Sequence, residues 1–230
     1  MIFPELHRHE VNSMKASMAF FQGLYRRVFK HDRDKVFIIG FHKTGTSSLG
    51  KALQILGYRV CGSIKEAYDY DTALDVKSYI LKKAKPLLSS YDAFQDTPWF
   101  LLYQELYKLY PEAKFILTKR HPEQWAKSVQ NHFGIQKIKY HDFIYGTNNS
   151  LKDESIYLNV YNAHNTNVQD FFSNKGNFLV FDPITDGWEE LANFLNVKKP
   201  NQKFPYVNKS EDRNKLMVKI KKELKRIYYK

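Results

Sequence analysis

Five short, largely apolar segments punctuate the chain, and between them apolar residues recur at steps of three and four. The segments are Val36 to Ile39, Tyr58 to Cys61, Tyr91 to Phe94, Lys114 to Thr118 and Asn177 to Phe181. Apolar residues at successive positions over four or five places predict strands buried on both faces. Helical spacing follows each of them. Leu49, Ala52, Leu53 and Leu56 predict a helix that stops at Gly57, a residue suited to the positive φ of a helix end. Residues 64–90 read as helices interrupted at Pro86. Leu102, Leu106 and Leu109 predict a helix ending before Pro111, and Pro122 opens another as its first residue. A long helix is expected from about Ile156 to Phe172, and a last one around Trp188, Leu191, Phe194 and Leu195. Residues 131–155 mix aromatic, polar and glycine residues without a period. Strands alternating with helices predict an α/β fold. Its expected form is a three-layer sandwich around a mostly parallel sheet of about five strands.

The two ends follow other patterns. In residues 1–34, Met14, Met18, Phe21, Tyr25 and Phe29 form one apolar stripe among Lys15, Arg26, Arg27 and Lys30. This amphipathic arm either packs on the domain or makes a peripheral contact with a membrane surface. Residues 211–230 are expected to form a basic helix with Leu216, Ile220, Leu224 and Ile227 on one face. The domain itself is expected over 35–210.

Composition narrows the partners only in part. A formal charge of +12 attracts anions of any kind, whether nucleic acid, acidic lipid or a multiply phosphorylated nucleotide. The single cysteine, Cys61, excludes an internal disulfide framework and suits a reducing compartment. No run approaches the ~18–20 apolar residues needed to span a bilayer. The uncharged run Ala16 to Tyr25 lacks a small-residue cleavage site. A cytoplasmic protein is therefore expected.

The chemistry concentrates where the first strand ends. Gly40 and Gly45 bracket a turn between strand and helix, and such turns aim backbone N–H groups at one point at the positive end of the helix dipole. Phosphate is the expected ligand, and a ligand-free βα turn is the alternative. A Walker loop, GxxxxGK[ST], carries its lysine directly after the second glycine. Here Thr46 stands in that place, and the lysine, Lys43, lies in the middle of the turn beside His42. A lysine so displaced serves the outer end of a short phosphate chain. Thr44, Thr46, Ser47 and Ser48 add hydroxyls. A second anion site is legible in Arg120 at a strand end and Ser128 one helix face away, an arginine fork paired with a serine hydroxyl. Taken singly, that pair also reads as a surface arginine and a helix-face serine. In parallel sheets ligands bind beyond the carboxyl ends of the strands. That rule gathers residues 40–48, Asp96 and residues 120–128 at one rim.

With Lys43-Thr44-Gly45-Thr46 and Arg120…Ser128 in this order, the sequence resembles the sulfotransferases that use 3′-phosphoadenosine 5′-phosphosulfate. That family pairs a K-[ST]-G-T loop for the 5′-phosphosulfate with an Arg-x7-Ser element for the 3′-phosphate. Further segments are similar to one branch of it: residues 92–98, 115–120, 186–189 and 204–208. The resemblance covers about residues 35–210. It implies a P-loop-like fold, that nucleotide as co-substrate, no metal, and a hydroxyl-bearing acceptor whose nature no motif reveals.

Lys43 would then neutralise charge growing on the leaving oxygen, and Asp96 is the candidate for the base that takes the acceptor's proton. As a second reading, Asp96 caps the helix near Pro98. His42 and His164 are weaker base candidates. The family's adenine-stacking tryptophan is replaced by Ser48, so adenine is expected on the helix of residues 156–172 or on the tail at Asn208 and Lys209. Two other functions stand beside this one. A P-loop kinase of small molecules is disfavoured by Thr46, and a basic nucleic-acid-binding module lacks any helix-turn-helix, zinc or aromatic-platform signature.

Overall fold

In a computed structural model of the chain, residues 34–64, 67, 75–134 and 136–207 are described. The expected arm, apart from Asp34, and the expected C-terminal helix lie outside the described residues, as do Asn208 and Lys209.

The five apolar segments form five strands: β1 (Val36–Ile38), β2 (Val60–Cys61), β3 (Ala93–Phe94), β4 (Lys114–Thr118) and β5 (Phe178–Phe181). Every pairing is parallel, and the order across the sheet is β2-β3-β1-β4-β5. Seven α-helices lie among the described residues: α1 (Thr46–Ile55), α2 (Val76–Ser90), α3 (Tyr103–Leu109), α4 (Pro122–Phe133), α5 (Lys139–Tyr145), α6 (Glu154–Phe172) and α7 (Trp188–Phe194). The fold is α/β with a parallel central sheet covered on both faces, as the alternation of strands and helices predicts.

Strand alternation sorts the core into two layers. Val36, Ile38 and Ile116 point to one face, where they pack on Leu49 and Leu53 of α1 and Leu191 of α7. Phe37, Phe94, Phe115 and Leu117 point to the other, against Ile80 and Ala84 of α2, Leu106 of α3 and Phe172 of α6. A third cluster, built on Phe41, Phe100, Trp125, Tyr145, Tyr157 and Tyr161, belongs to the carboxyl rim of the sheet.

Two details depart from the sequence expectation. Pro86 does not interrupt a helix; it lies inside α2, which begins only at Val76. A proline removes one N–H and crowds the preceding turn, yet three buried residues, Ile80, Ala84 and Leu88, carry the helix across it. Asp75 caps its start by accepting from the Ser78 N–H at 3.0 Å. The helix before Pro111 begins as a 3₁₀ turn at Trp99–Leu102 and continues as α3.

Candidate active site

The sheet order reverses at β1, which lies between β3 and β4. Ile38 is level with Ile116, and Phe37 with Phe94. The segments that follow these three strands therefore emerge side by side, which is the crevice where open α/β sheets bind ligands.

Gly40 permits the first close approach. A Cβ on it would lie 2.1 Å from Thr118 Oγ1 and 2.2 Å from the Thr118 carbonyl oxygen. Thr44 is fully buried, and its hydroxyl donates to the Phe41 carbonyl at 2.5 Å. That leaves the Thr118 hydroxyl to donate to Thr44 Oγ1 at 2.6 Å. Thr44 thus spends its side chain on the loop itself. Gly45 has φ 94°, and a Cβ there would meet Pro183 at 2.5 Å. Gly45 is also the N-cap of α1, with no side chain accepting from the first turn and no acidic residue within it. The first-turn N–H groups of a helix lack an i−4 acceptor within it, and here the Ser48 N–H turns to the Gly45 carbonyl at 3.0 Å. Ser47 is half-buried, whereas Thr46 and Ser48 are buried. The Ser48 hydroxyl accepts from the Val207 N–H at 3.0 Å. The chain leading to Asn208 and Lys209 is thereby fastened to the loop helix.

Three described residues other than glycine have positive φ, and two are Lys43 (67°) and Asp96 (72°). Left-handed backbone at such residues is strained, and strain of this kind gathers at functional sites. The half-buried Asp96 accepts from the Thr97 N–H at 2.8 Å and from the Thr97 hydroxyl at 3.3 Å. It does not cap the 3₁₀ turn with its carboxylate; its carbonyl accepts from the Trp99 N–H instead. Burial raises the Asp96 pKa above the usual carboxylate value, while the Thr97 hydrogen bonds and the Lys43 charge act against the rise. The two strained residues therefore sense each other electrostatically.

Arg120 stands just beyond the last ladder bond of β4, in which the Lys119 N–H donates to the Phe181 carbonyl at 2.9 Å. Its guanidinium donates to Gln124 Oε1 at 3.4 Å. Ser128 lies half-buried on α4, one turn beyond Gln124. The sheet thus gathers residues 40–48, Asp96 and Arg120 at one rim, with Ser128 on the helix that leaves it.

The two histidines considered as bases are turned inward. His42 is buried, with Nε2 2.8 Å from the Tyr145 hydroxyl. Burial is the main reason its pKa falls well below 6.5, with His141 and Lys43 adding to the fall. His164 on α6 donates from Nε2 to the Ile39 carbonyl at 2.8 Å, and burial lowers its pKa to about 4. It serves as a strut under the loop.

Sequence reasoning missed three residues. Tyr140 on α5 has its ring 6.2 Å from that of His42, and the Asp96 charge reinforces the burial that raises its hydroxyl pKa. Tyr140 therefore lies within electrostatic reach of Asp96, on a helix with no readable period. Trp125 and Tyr161 brace the loop and Arg120 from behind. An aromatic residue three places after Pro122 was the only available hint for the former.

The sulfotransferase domain family matches residues 35–152 and again 135–213. The chain therefore belongs to the sulfotransferase-domain family, a family of transferases. It is also similar to the Ava biosynthesis cluster protein M of Aspergillus versicolor, with 29% identity over 215 residues, covering 77% of this chain and 82% of that protein. Among the described residues, no helix is long and apolar enough to cross a membrane.

Proposed function

We propose that this domain transfers a sulfuryl group from 3′-phosphoadenosine 5′-phosphosulfate to a hydroxyl or amine acceptor by in-line displacement. One observation carries the reading. Lys43 and Asp96 are both held at positive φ, at the carboxyl ends of adjacent strands and within each other's field. The nucleotide supplies an activated sulfur whose bridging oxygen leaves with the 5′-phosphate.

The residues fit that donor chemically. The first turn of α1, capped by a glycine and free of acidic residues, offers backbone N–H groups to the 5′-phosphate. Lys43 neutralises the charge that grows on the bridging oxygen as its bond to sulfur breaks, a task a point charge performs without a metal. Arg120 and Ser128 take the 3′-phosphate. Asp96 accepts the proton from the acceptor as the acceptor oxygen or nitrogen bonds to sulfur. Its raised pKa makes it a better base than a solvated carboxylate. Tyr140 orients the acceptor beside it. Asn208 and Lys209, next in the chain after Val207, are assigned to the nucleotide on the sequence resemblance.

Ligand-induced stabilisation tests the donor assignment. Adenosine 3′,5′-bisphosphate at micromolar concentration should raise the melting temperature and should do so in EDTA, whereas ATP with Mg²⁺ or an oligonucleotide should not. Stabilisation by ATP with Mg²⁺ alone would favour a kinase, and by the oligonucleotide alone a nucleic-acid module. Single-turnover transfer from the labelled donor then tests the residues. Lys43→Ala should lose about 3–4 kcal/mol of transition-state stabilisation with the fold intact. A variant retaining a tenth of wild-type turnover would remove Lys43 from that role.

A further inference from the structure

One aromatic pair ties the loop after β1 to the strand end that carries Arg120. Trp125, on the first turn of α4, donates from Nε1 to the His42 carbonyl at 2.9 Å, directly before Lys43 in the chain. Its ring lies face to face on Tyr161 of α6, with centroids 4.2 Å apart and planes 9° apart. The Tyr161 hydroxyl accepts from the Arg120 N–H at 2.9 Å and donates to the Arg120 carbonyl at 2.7 Å. Arg120 has passed the last hydrogen bond between β4 and β5. Its backbone would otherwise have no ladder partner, and the tyrosine oxygen takes the place of a strand. Both rings are fully buried, so neither touches a ligand at the rim. They are positioning residues.

We infer that the Trp125–Tyr161 stack is a spacer that fixes the separation of the Lys43 and Arg120 anion sites. It thereby sets the selectivity for a nucleotide phosphorylated at both the 5′ and 3′ positions. The inference rests on the nucleotide reading above. Two-point attachment gains affinity only when the span of the ligand matches that of the sites, and misplacement by about 1 Å is costly where geometry must be met. A hydroxyl that merely filled a core would bond any convenient acceptor. This one takes both backbone groups of the residue proposed to read the 3′-phosphate, while its stacking partner holds the carbonyl next to Lys43.

Tyr161→Phe keeps the ring and the stack and removes the two bonds to Arg120, together with the hydroxyl's side-chain interaction with Asn165. Calorimetric affinities for adenosine 3′,5′-bisphosphate and adenosine 5′-monophosphate, measured below the melting temperature, should separate. The advantage of the bisphosphate falls at least tenfold, and the monophosphate affinity stays within twofold of wild type. Trp125→Phe keeps an aromatic partner and frees the His42 carbonyl; the same advantage should fall at least fivefold. If Tyr161→Phe does not fold, this second variant decides. An unchanged advantage in the folded variants, or equal weakening of both ligands, overturns the spacer. Wild-type protein that binds the bisphosphate no better than the monophosphate overturns the nucleotide reading and the spacer with it.

Discussion

Acidification should unfold this protein through its buried histidines before its carboxylates matter. Burial lowers the pKa of His141 and of His164 from 6.5 to about 4, and His42 is also depressed. Their neutral forms are favoured in the folded state, so the unfolded chain binds more protons below pH 6.5. This stability is fully present above pH 6.5 and is lost as the pH falls towards 4. Each histidine then contributes a slope of about 1.4 kcal/mol per pH unit, so two give nearly 3. Between pH 6.5 and 5 the loss is about 3 kcal/mol, because the slope is only half developed at pH 6.5; that is a large share of a typical folding free energy of about 5–15 kcal/mol. The raised pKa of Asp96 has the opposite sign, but its window opens upward from the ordinary carboxylate value of 3.8. It can only soften the slope at the acid end. Urea titrations at half-unit pH steps measure the effect directly. His164→Gln keeps a donor for the Ile39 carbonyl and should remove about half of the two-histidine slope. A folding free energy that is flat between pH 6.5 and 5 would refute the reasoning.

Gly40→Ala should cost at least about 2–3 kcal/mol in urea unfolding, because its Cβ must displace Thr118 backbone in a packed crevice. Asp96→Asn should lower single-turnover transfer by roughly 10²–10⁴ without lowering the melting temperature at neutral pH, since burial already disfavours the charge. Near-normal turnover would return the base to an unassigned residue. Ser48→Ala removes the acceptor of the Val207 N–H. It should cost about 0.5–1.5 kcal/mol of stability and weaken the bisphosphate measurably in calorimetry; an unaltered affinity would separate this fastening from the nucleotide.

What was legible in the sequence depended on signals that are local. β1 and β4 stand out because strands buried on both faces are apolar at every position, and the rim follows from strand ends and one topological rule. α5 was invisible. Its seven residues have no period, and contacts distant in sequence hold it, among them Tyr145 stacked on Tyr157 with centroids 3.9 Å apart. Thr44 and Ser48 look alike as loop hydroxyls, yet one is spent on Phe41 and Thr118 and the other on Val207. Composition cannot separate a hydroxyl that faces a ligand from one that holds the loop. Pro86 was read by its average behaviour, which the buried side of α2 overrides.

The three tryptophans of the chain are distributed one to each hydrophobic cluster: Trp99 under α2 and α3, Trp188 under the opposite face, and Trp125 in the rim. The molecule therefore carries a separate fluorophore in each layer. Variants that keep one indole and replace the other two by phenylalanine would report, by emission wavelength and quenching, which layer loosens first. Trp125 lies against Tyr161 and donates to the His42 carbonyl in the loop, so its emission is the one that should respond to an anion arriving at the rim, while Trp99 and Trp188 serve as internal controls in the same fold.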